Sequence, residues 1–472
     1  MSVTFSGDIK NFTVSSPRNS RIFSKSMVLD PEMGFQTHEI CENKDEAKKY
    51  LAKADIPVPR GRRFSPEISD EEIIRYAGET GYPLVLKPTN GYMGKGVFSN
   101  VPDETSLREL LVHVRRELEF PDVMIEERIM GDDFRIFVLG DDVVAALQRV
   151  PANVTGNGRD SVRKLIRSKN MERRKNPNLI GKLIKVDREV LSNIKRAGYN
   201  LNDVLGKGER LFLRGKCNVS TGGDSIDVTD DLPKHVKDTA TRAIKAIPGL
   251  SHAGVDVLFD AGQPESKGVV IEINSMAEIG GLMYPFVGKS RDIPSVIIDC
   301  YFPESTEHRD RHRLIFYDPE SLKQTLKNDP ATALTLPPLP IRELVRREII
   351  VTGRVRGVGF RDWTRKQSLG MELSGFAEHY GKKSVRIVIA GDEEKVNIFE
   401  RMCGSGPEKA RVDKLTASDY SDPVIMGFRV IRKKNLVFAK TAHLVHAVWW
   451  RLMKLMGRNL SGMKILSNKN SK

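Results

Sequence analysis

The sequence predicts an α+β chain of two folded bodies followed by a basic tail. Helix-period segments alternate with short apolar runs over residues 43–305, and a proline-bearing stretch then interrupts the pattern. Strand and helix signals resume over 346–433. A chain of 472 residues exceeds what one hydrophobic core organises, which fits more than one domain. With 39% hydrophobic and 29% charged residues, the composition excludes wholesale disorder and a polytopic membrane protein.

Residues 1–42 are Ser-rich and weakly patterned, and a flexible or loosely docked lead-in is expected there. A helix is expected over 45–54, ended by Pro57 and Pro59, which impose an extended segment. A second helix is expected over 70–79. The apolar run 83–86 reads as a strand that delivers Lys87 to a glycine-bearing loop. Strand character recurs at 123–125, 134–139, 143–147, 254–259 and 269–273. Pro330, Pro337, Pro338 and Pro340 mark 306–345 as a linker, with room for a short helix. Beyond it, strands at 347–352 and 384–390 and a helix at 393–402 suit a small α/β sandwich over 346–433.

The net charge of +14 invites a nucleic-acid reading, but its distribution argues against one. Eleven Lys and Arg residues and no Asp or Glu lie from Arg429 onward, leaving only +3 for the rest. The body therefore lacks the broad positive field of a nucleic-acid binder, and the tail of residues 434–472 points to an anionic surface or partner. Cys41, Cys217, Cys300 and Cys403 are scattered, without CxxC or metal-ligand spacing, which favours free thiols in a reducing cytoplasm. No apolar stretch follows the first basic residues, so no signal peptide is expected.

The loop Asn90-Gly91-Tyr92-Met93-Gly94-Lys95-Gly96 follows the strand bearing Lys87, and its glycines let backbone N–H groups approach phosphates. Alone, such a loop is more often a plain turn. Its neighbours strengthen it. In Val270-Ile271-Glu272-Ile273-Asn274, a period of two puts Glu272 and Asn274 on one strand face. Asp256 lies in the apolar strand Gly254-Val255-Asp256-Val257, where an unpaired carboxylate is costly unless it meets a cation. Hard oxygen donors of this kind suit magnesium bound together with phosphates.

At these residues the chain resembles a known family. The stretches NKDEAKKYLAKADIPVPRG, GYPLVLKPTNGYMGKGVFSNV, VMIEERIMGDDFRIFVLGDDVVAALQRVPANVTGNG, LRGKCNVSTGGDSIDVTDDL, GLSHAGVDVLF and VVIEINSMAEIGG are similar to the ATP-grasp ligase domain of cyanophycin synthetases and bifunctional glutathione synthetases. The resemblance implies an ATP-grasp domain over 43–305 that uses ATP and magnesium, with manganese as an alternative ion. It implies that Lys48 and Lys87 bind ATP phosphates, and that Gly91, Gly94 and Lys95 close over them. Glu126 would lie at the adenine hinge and Asp133 near the ribose. Asp256, Glu272 and Asn274 match the metal ligands, with Glu272 bridging two ions. Arg149 and Arg214 would stabilise the transferring phosphoryl group or a substrate carboxylate. Asn153 and residues 220–224 would line the acceptor side.

A second constellation is Gly353-Arg354-Val355-Arg356-Gly357-Val358-Gly359-Phe360-Arg361, which joins a strand to a helix and suits an anion cradle. A generic turn before a helix has the same look. The stretch resembles the acylphosphatase signature GxVxGVGFR, which implies a ferredoxin-like domain in which Arg361 holds phosphate. The family's second catalytic residue is an asparagine in a segment like GxVxN. The best register there is Gly375-Phe376-Ala377-Glu378-His379, so His379 replaces it.

The tail from Leu436 to Met456 is apolar enough for a helix, with Lys440, Arg451, Lys454 and Arg458 on one side and Trp449 and Trp450 among its apolar residues. Two readings fit: an interfacial helix on anionic lipid at the inner membrane face, or packing against a protein partner or the chain's own body. The expected activity is ATP-dependent ligation of a small-molecule or peptide carboxylate to an amine through an acyl phosphate. The rivals are an acylphosphatase with an accessory ATP-grasp domain, and a membrane-docked ATP-binding regulator.

Overall fold

The structure is a computed structural model that describes residues 1–7, 9–89, 95–263, 265–308, 315–328, 333–336 and 344–432. Gly91, Gly94 and the expected tail helix lie outside the described residues. Two compact units emerge. One joins Met1–Ile22 to Pro294–Lys472, and the other is Phe23–Ile293.

The lead-in is not the loosely docked segment expected. Strands β1 (Ser2–Ser6) and β2 (Asn11–Ser15) pair antiparallel, Val3 opposite Val14 and Phe5 opposite Phe12. The alternation of Val3 and Phe5, and of Phe12 and Val14, is a short strand pattern that the surrounding serines obscure.

A short hairpin of β3 (Ser20–Ser24), which runs across the boundary at Phe23, and β4 (Met27–Val28) precedes helices α1 (Gln36–Glu42) and α2 (Lys44–Lys53) of the unit Phe23–Ile293. The side chain of Asn43 caps α2 by accepting from the Glu46 N–H. A four-stranded sheet follows, built from β5 (Gly61–Phe64), β6 (Leu84–Pro88), β7 (Phe98–Val101) and β8 (Val123–Glu127) in the order β5-β8-β6-β7. Helices α3 (Asp70–Thr80) and α4 (Glu104–Val112) cover it through Ile73, Ala77, Leu107 and Leu111, packed on Leu84, Leu86 and Ile125.

The second sheet of this unit carries most of the candidate site. Its strands are β9 (Asp132–Leu139), β10 (Asp142–Val150), β13 (Asp224–Asp227), β14 (His252–Phe259) and β15 (Val269–Asn274), in the order β13-β10-β9-β14-β15. Between β10 and β13 lie the paired strands β11 (Asn153–Thr155) and β12 (Arg210–Phe212) and the helices α5 (Val162–Lys175) and α6 (Arg188–Arg196). Helix α7 (Lys234–Lys245) covers one face of the sheet, packing Val236, Ala240 and Ala243 on Phe134, Ile136, Val255 and Ile273. Alternation then sends the intervening side chains, which are mostly polar, to the opposite face.

In the other unit, the stretch 306–345 expected as a linker contributes β16 (Ile315–Phe316), a helix at Pro319–Asn328 and β17 (Ala333–Leu336). Strand β17 pairs with β1 on the side away from β2, Phe5 opposite Leu334. The sandwich then runs β18 (Val345–Arg354), a helix at Phe360–Gly370, β19 (Ser374–Tyr380), β20 (Ser384–Gly391), a helix at Glu393–Ser405, β21 (Arg411–Asp419), β22 (Val424–Ile425) and β23 (Phe428–Ile431). The sheet order β21-β18-β20-β19-β23 is the ferredoxin-like arrangement with one added parallel strand. Phe360, Val396 and Phe399 of the two helices pack on Ile349, Val351 and Ile387. Among the described residues, no helix is long and apolar enough to cross a membrane.

Candidate active site

The polar face of the second sheet is fixed by register. Asp256 lies directly opposite Glu272, and Asn274 opposite Gly254, so the two carboxylates and the amide share one face of β14 and β15. Among the described residues, no group of three or more His, Cys, Asp and Glu forms a metal cluster, and this set has two carboxylates and an amide. Its chemistry fits a hard divalent cation. Asp256 Oδ1 is buried and has no aligned hydrogen bond, although Arg135 Nε lies 2.6 Å away. The buried amide nitrogen of Asn274 has no hydrogen-bond partner among the described residues. The oxygens of Asp256 and Glu272 and the amide oxygen of Asn274 are the atoms that could bind such an ion, and both oxygens of Asp256 are meanwhile faced by Arg135 and Arg149.

Across β9 and β10 the same face continues. Asp133 is opposite both Leu258 and Arg149, and Arg135 is opposite Asp256. Arg149 Nε donates to Asp133 Oδ1 at 2.7 Å, and Arg149 Nη2 reaches Asp256 Oδ2 at 3.0 Å. Burial works against the charge on Arg149, but Asp256 and Asp133 outweigh it and hold its pKa above the ordinary value. Burial raises the Asp133 carboxyl, which Arg149 opposes and Asp256 reinforces. Gly254 matters here: a Cβ would meet Arg135 Nη1 and the Ala277 Cβ at 2.9 Å, so only glycine lets the guanidinium pass across it.

The first sheet brings Lys48, Lys87 and Glu126 together. Lys48 Nζ lies 2.7 Å from Glu126 Oε1 and Lys87 Nζ 2.7 Å from Glu126 Oε2, with Glu126 2% exposed and Lys87 4%. A buried and a part-buried ammonium group thus share one carboxylate, and the excess positive charge suits phosphate oxygens. Helix α2 links this triad to the face of Asp256, Glu272 and Asn274, because Lys44, one turn before Lys48, lies 3.8 Å from Glu272 Oε1. Lys95 is exposed, with its Nζ over the Phe120 ring at 5.2 Å.

Asn153 and the 220–224 segment also meet, since Asn153 Nδ2 donates to Asp224 Oδ2 at 2.9 Å. Arg214 is engaged elsewhere than Arg149: it is buried, ion-paired with Asp187 and Glu189, and donates to the Thr221 carbonyl at 3.2 Å.

Sequence reasoning missed Lys44, Arg135, Lys169 and Arg173. Lys169 Nζ lies 2.6 Å from Asp224 Oδ2, while the fully buried Arg173 donates to the carbonyls of Lys182, Val219 and Gly223. The signals were present. Lys44 and Lys48, like Lys169 and Arg173, are four apart on a helix, and Arg135 is two from Asp133 on a strand. Periodicity alone does not separate such residues from a solvated face.

In the C-terminal sandwich, the loop between β18 and the helix Phe360–Gly370 turns at Gly357 and Gly359, with φ of 73° and 74°, a left-handed backbone that favours glycine. Arg361, in the first turn of that helix, donates from Nη1 to the Ile431 carbonyl at 2.9 Å. Ile431 pairs with Glu378, the neighbour of His379. His379 shares strand parity with Ala377, which faces the two helices, and its Nδ1 is shielded from solvent. The register therefore brings His379 to the end of the sheet that holds Arg361. On the opposite face Arg386 binds Glu348 at 2.5 Å and Glu378 at 3.0 Å, stacked near Phe376 and Tyr420.

Residues 41–164 match the RimK-like ATP-grasp domain family, and residues 347–430 match the acylphosphatase family. The chain is 33% identical over 288 residues to a cyanophycin synthetase of Geminocystis herdmanii, covering 60% of this chain and 32% of that protein. It is 34% identical over 271 residues to the glutathione biosynthesis bifunctional protein GshAB of Desulfotalea psychrophila, covering 55% of this chain and 34% of that protein. A crystal structure of a bifunctional glutathione synthetase from Pasteurella multocida is similar at 28% identity and a TM-score of 0.48, covering 62% of this chain and 40% of that one. The chain thus spans about a third of the length of the curated relatives it matches. Both resemblances carried by the motifs hold: the chain joins a RimK-like ATP-grasp domain to a C-terminal acylphosphatase domain.

Proposed function

We propose that the unit Phe23–Ile293 activates a carboxylate as an acyl phosphate at the expense of ATP and passes it to an amine. The observation that carries this reading is the shared strand face of Asp256, Glu272 and Asn274, linked through α2 to the Lys48–Lys87–Glu126 triad. Magnesium held by those three residues would neutralise phosphate charge and orient the phosphoryl group, and manganese accepts the same oxygen donors. Lys48 and Lys87 would bind the phosphates while Glu126 keeps both ammonium groups in place. Asp133 would meet the ribose, and Arg149, already braced by Asp133 and Asp256, would face the charge that develops on transfer. A carboxylate is a poor electrophile, whereas its mixed anhydride with phosphate is a good one: as the amine forms the C–N bond at the acyl carbon, the C–O bond breaks and inorganic phosphate leaves.

The substrate class is an amino acid or short peptide, in keeping with relatives named as a cyanophycin synthetase and a glutathione biosynthesis protein. The purified chain is to be screened with amino acids and short peptides for ADP release, with mass spectrometry of products. ADP formation that requires one acid and one amine supports ligation. ATP binding without any product across the screen would overturn it in favour of a regulator.

The four free cysteines suit a cytoplasmic enzyme. The eleven basic residues from Arg429 onward extend the reading to the inner membrane face. The full chain is expected to co-sediment with anionic vesicles more strongly than a chain ending at Lys434, and the difference should shrink as salt screens the charges. Equal binding by the two chains would remove the membrane partner.

A further inference from the structure

We propose that the phosphate loop of the C-terminal domain is a site for polyanionic acyl phosphates, those whose acyl group carries a carboxylate of its own. The inference rests on the phosphate-loop reading of residues 353–361 and is independent of the ligase reading.

The loop and Arg361 suffice for one phosphate. The backbone N–H groups of the turn at Gly357 and Gly359, where φ is positive, and the guanidinium of Arg361 are the available donors, and the bond to the Ile431 carbonyl uses one of five N–H groups on that side chain. Two more guanidinium groups stand beside them. Arg356 lies on the same loop, half-buried, and is fixed by bonds from Nη1 to the carbonyls of Gly381 at 3.2 Å and Lys382 at 3.1 Å. Arg432 directly follows Ile431 and pairs at 2.9 Å with Asp362, the residue after Arg361.

Arg356 on the loop, Arg361 just after it and Arg432 paired to the next residue, Asp362, thus bring three guanidinium groups to one region, with Asp362 as the carboxylate paired among them. That pair is exposed at both ends, with 67% and 61% of the side chains accessible, so it is weak and readily reorganised. A separate observation agrees. Burial pushes the Arg361 pKa down, Asp362 opposes this, and Arg432 and Arg356 push it further down, as closely gathered like charges do. The turn between β19 and β20 whose carbonyls hold Arg356 also contains Lys382 and Lys383.

A simple acyl phosphate has no charge to offer Arg356 and Arg432. An acyl group ending in a carboxylate places a second planar anion within reach of a guanidinium fork, the geometry arginine binds best. Preference for the longer anion follows from the excess positive charge.

The test uses the full chain and two non-hydrolysable probes, methylphosphonate and phosphonoacetate, titrated calorimetrically at low salt and mildly alkaline pH. Arg361→Ala sets the baseline for binding at any other site. Phosphonoacetate is expected to bind about tenfold more tightly than methylphosphonate, the scale of one added charge-assisted contact. Arg356→Gln and Arg432→Gln should each cut that ratio several-fold while leaving methylphosphonate affinity within about twofold. Equal affinity for the two probes, or a ratio that survives in the double variant, overturns the inference alone. Failure of either probe to bind above the Arg361→Ala baseline overturns the phosphate-loop reading as well.

Discussion

Glu272→Ala is expected to lower ADP formation by on the order of 10²–10³-fold or more, the cost of losing one preorganised group that stabilises transition-state charge. Glu272 lies on β15 opposite Asp256, and its replacement removes one of two carboxylates from the shared face. The fold should survive. The side chain is 36% exposed, its pairing with Lys44 is long at 3.8 Å, and the apolar partners of β15, Val270 and Ile273, are untouched. A change of about 0.5 kcal/mol or less is the scale for such a position. The check is threefold: circular dichroism for the fold, calorimetry with magnesium and a non-hydrolysable ATP analogue for ion binding, and ADP release for turnover. ADP formation at the wild-type rate would sink the ATP-grasp site as drawn.

The second large effect concerns the C-terminal domain. Arg361→Ala is expected to abolish both phosphate binding and acyl phosphate hydrolysis, because no other side chain enters the first turn behind Gly359 with a guanidinium. His379→Asn should act in the opposite sense and raise hydrolysis of acetyl phosphate by about tenfold or more, within the range a positioned proton-transfer group contributes. An asparagine donates to one partner and accepts from the attacking water at any pH. A neutral imidazole can do both, but protonation removes its acceptor. The unmodified domain should therefore bind phosphate well and hydrolyse a simple acyl phosphate slowly. Stopped assays of acetyl phosphate consumption, with phosphate titration alongside, separate the two steps. Rapid hydrolysis by the natural chain, lost on His379→Asn, would make the histidine the working residue and promote the hydrolase reading.

Much of this was legible in the sequence because it is local. The helices begun by Asn43 and Ser69 are set by capping side chains and apolar period, and the structure places them at Lys44–Lys53 and Asp70–Thr80. The pairing of Glu272 with Asn274 on one face follows from the pleat alone. The loop before the helix at Phe360 was also legible as a turn, while its left-handed backbone at Gly357 and Gly359 is a finding of the structure.

What the sequence could not decide is which distant segments meet. That Asp256 faces Glu272, that Lys48 and Lys87 share Glu126, and that Lys44 reaches Glu272 depend on strand register and on the seat of α2. The lead-in shows the same limit, since β1 pairs not only with the neighbouring β2 but with β17 more than 300 residues away. Arg214 shows it in reverse: a motif arginine is drawn to Asp187 and Glu189, whose nearness no spacing reveals. Residue type and period fix the chemistry each side chain can offer and the local element that carries it. Pairing, burial and the choice of counter-ion are settled only when the chain closes on itself, because each is a difference between competing partners that exist only in the folded state.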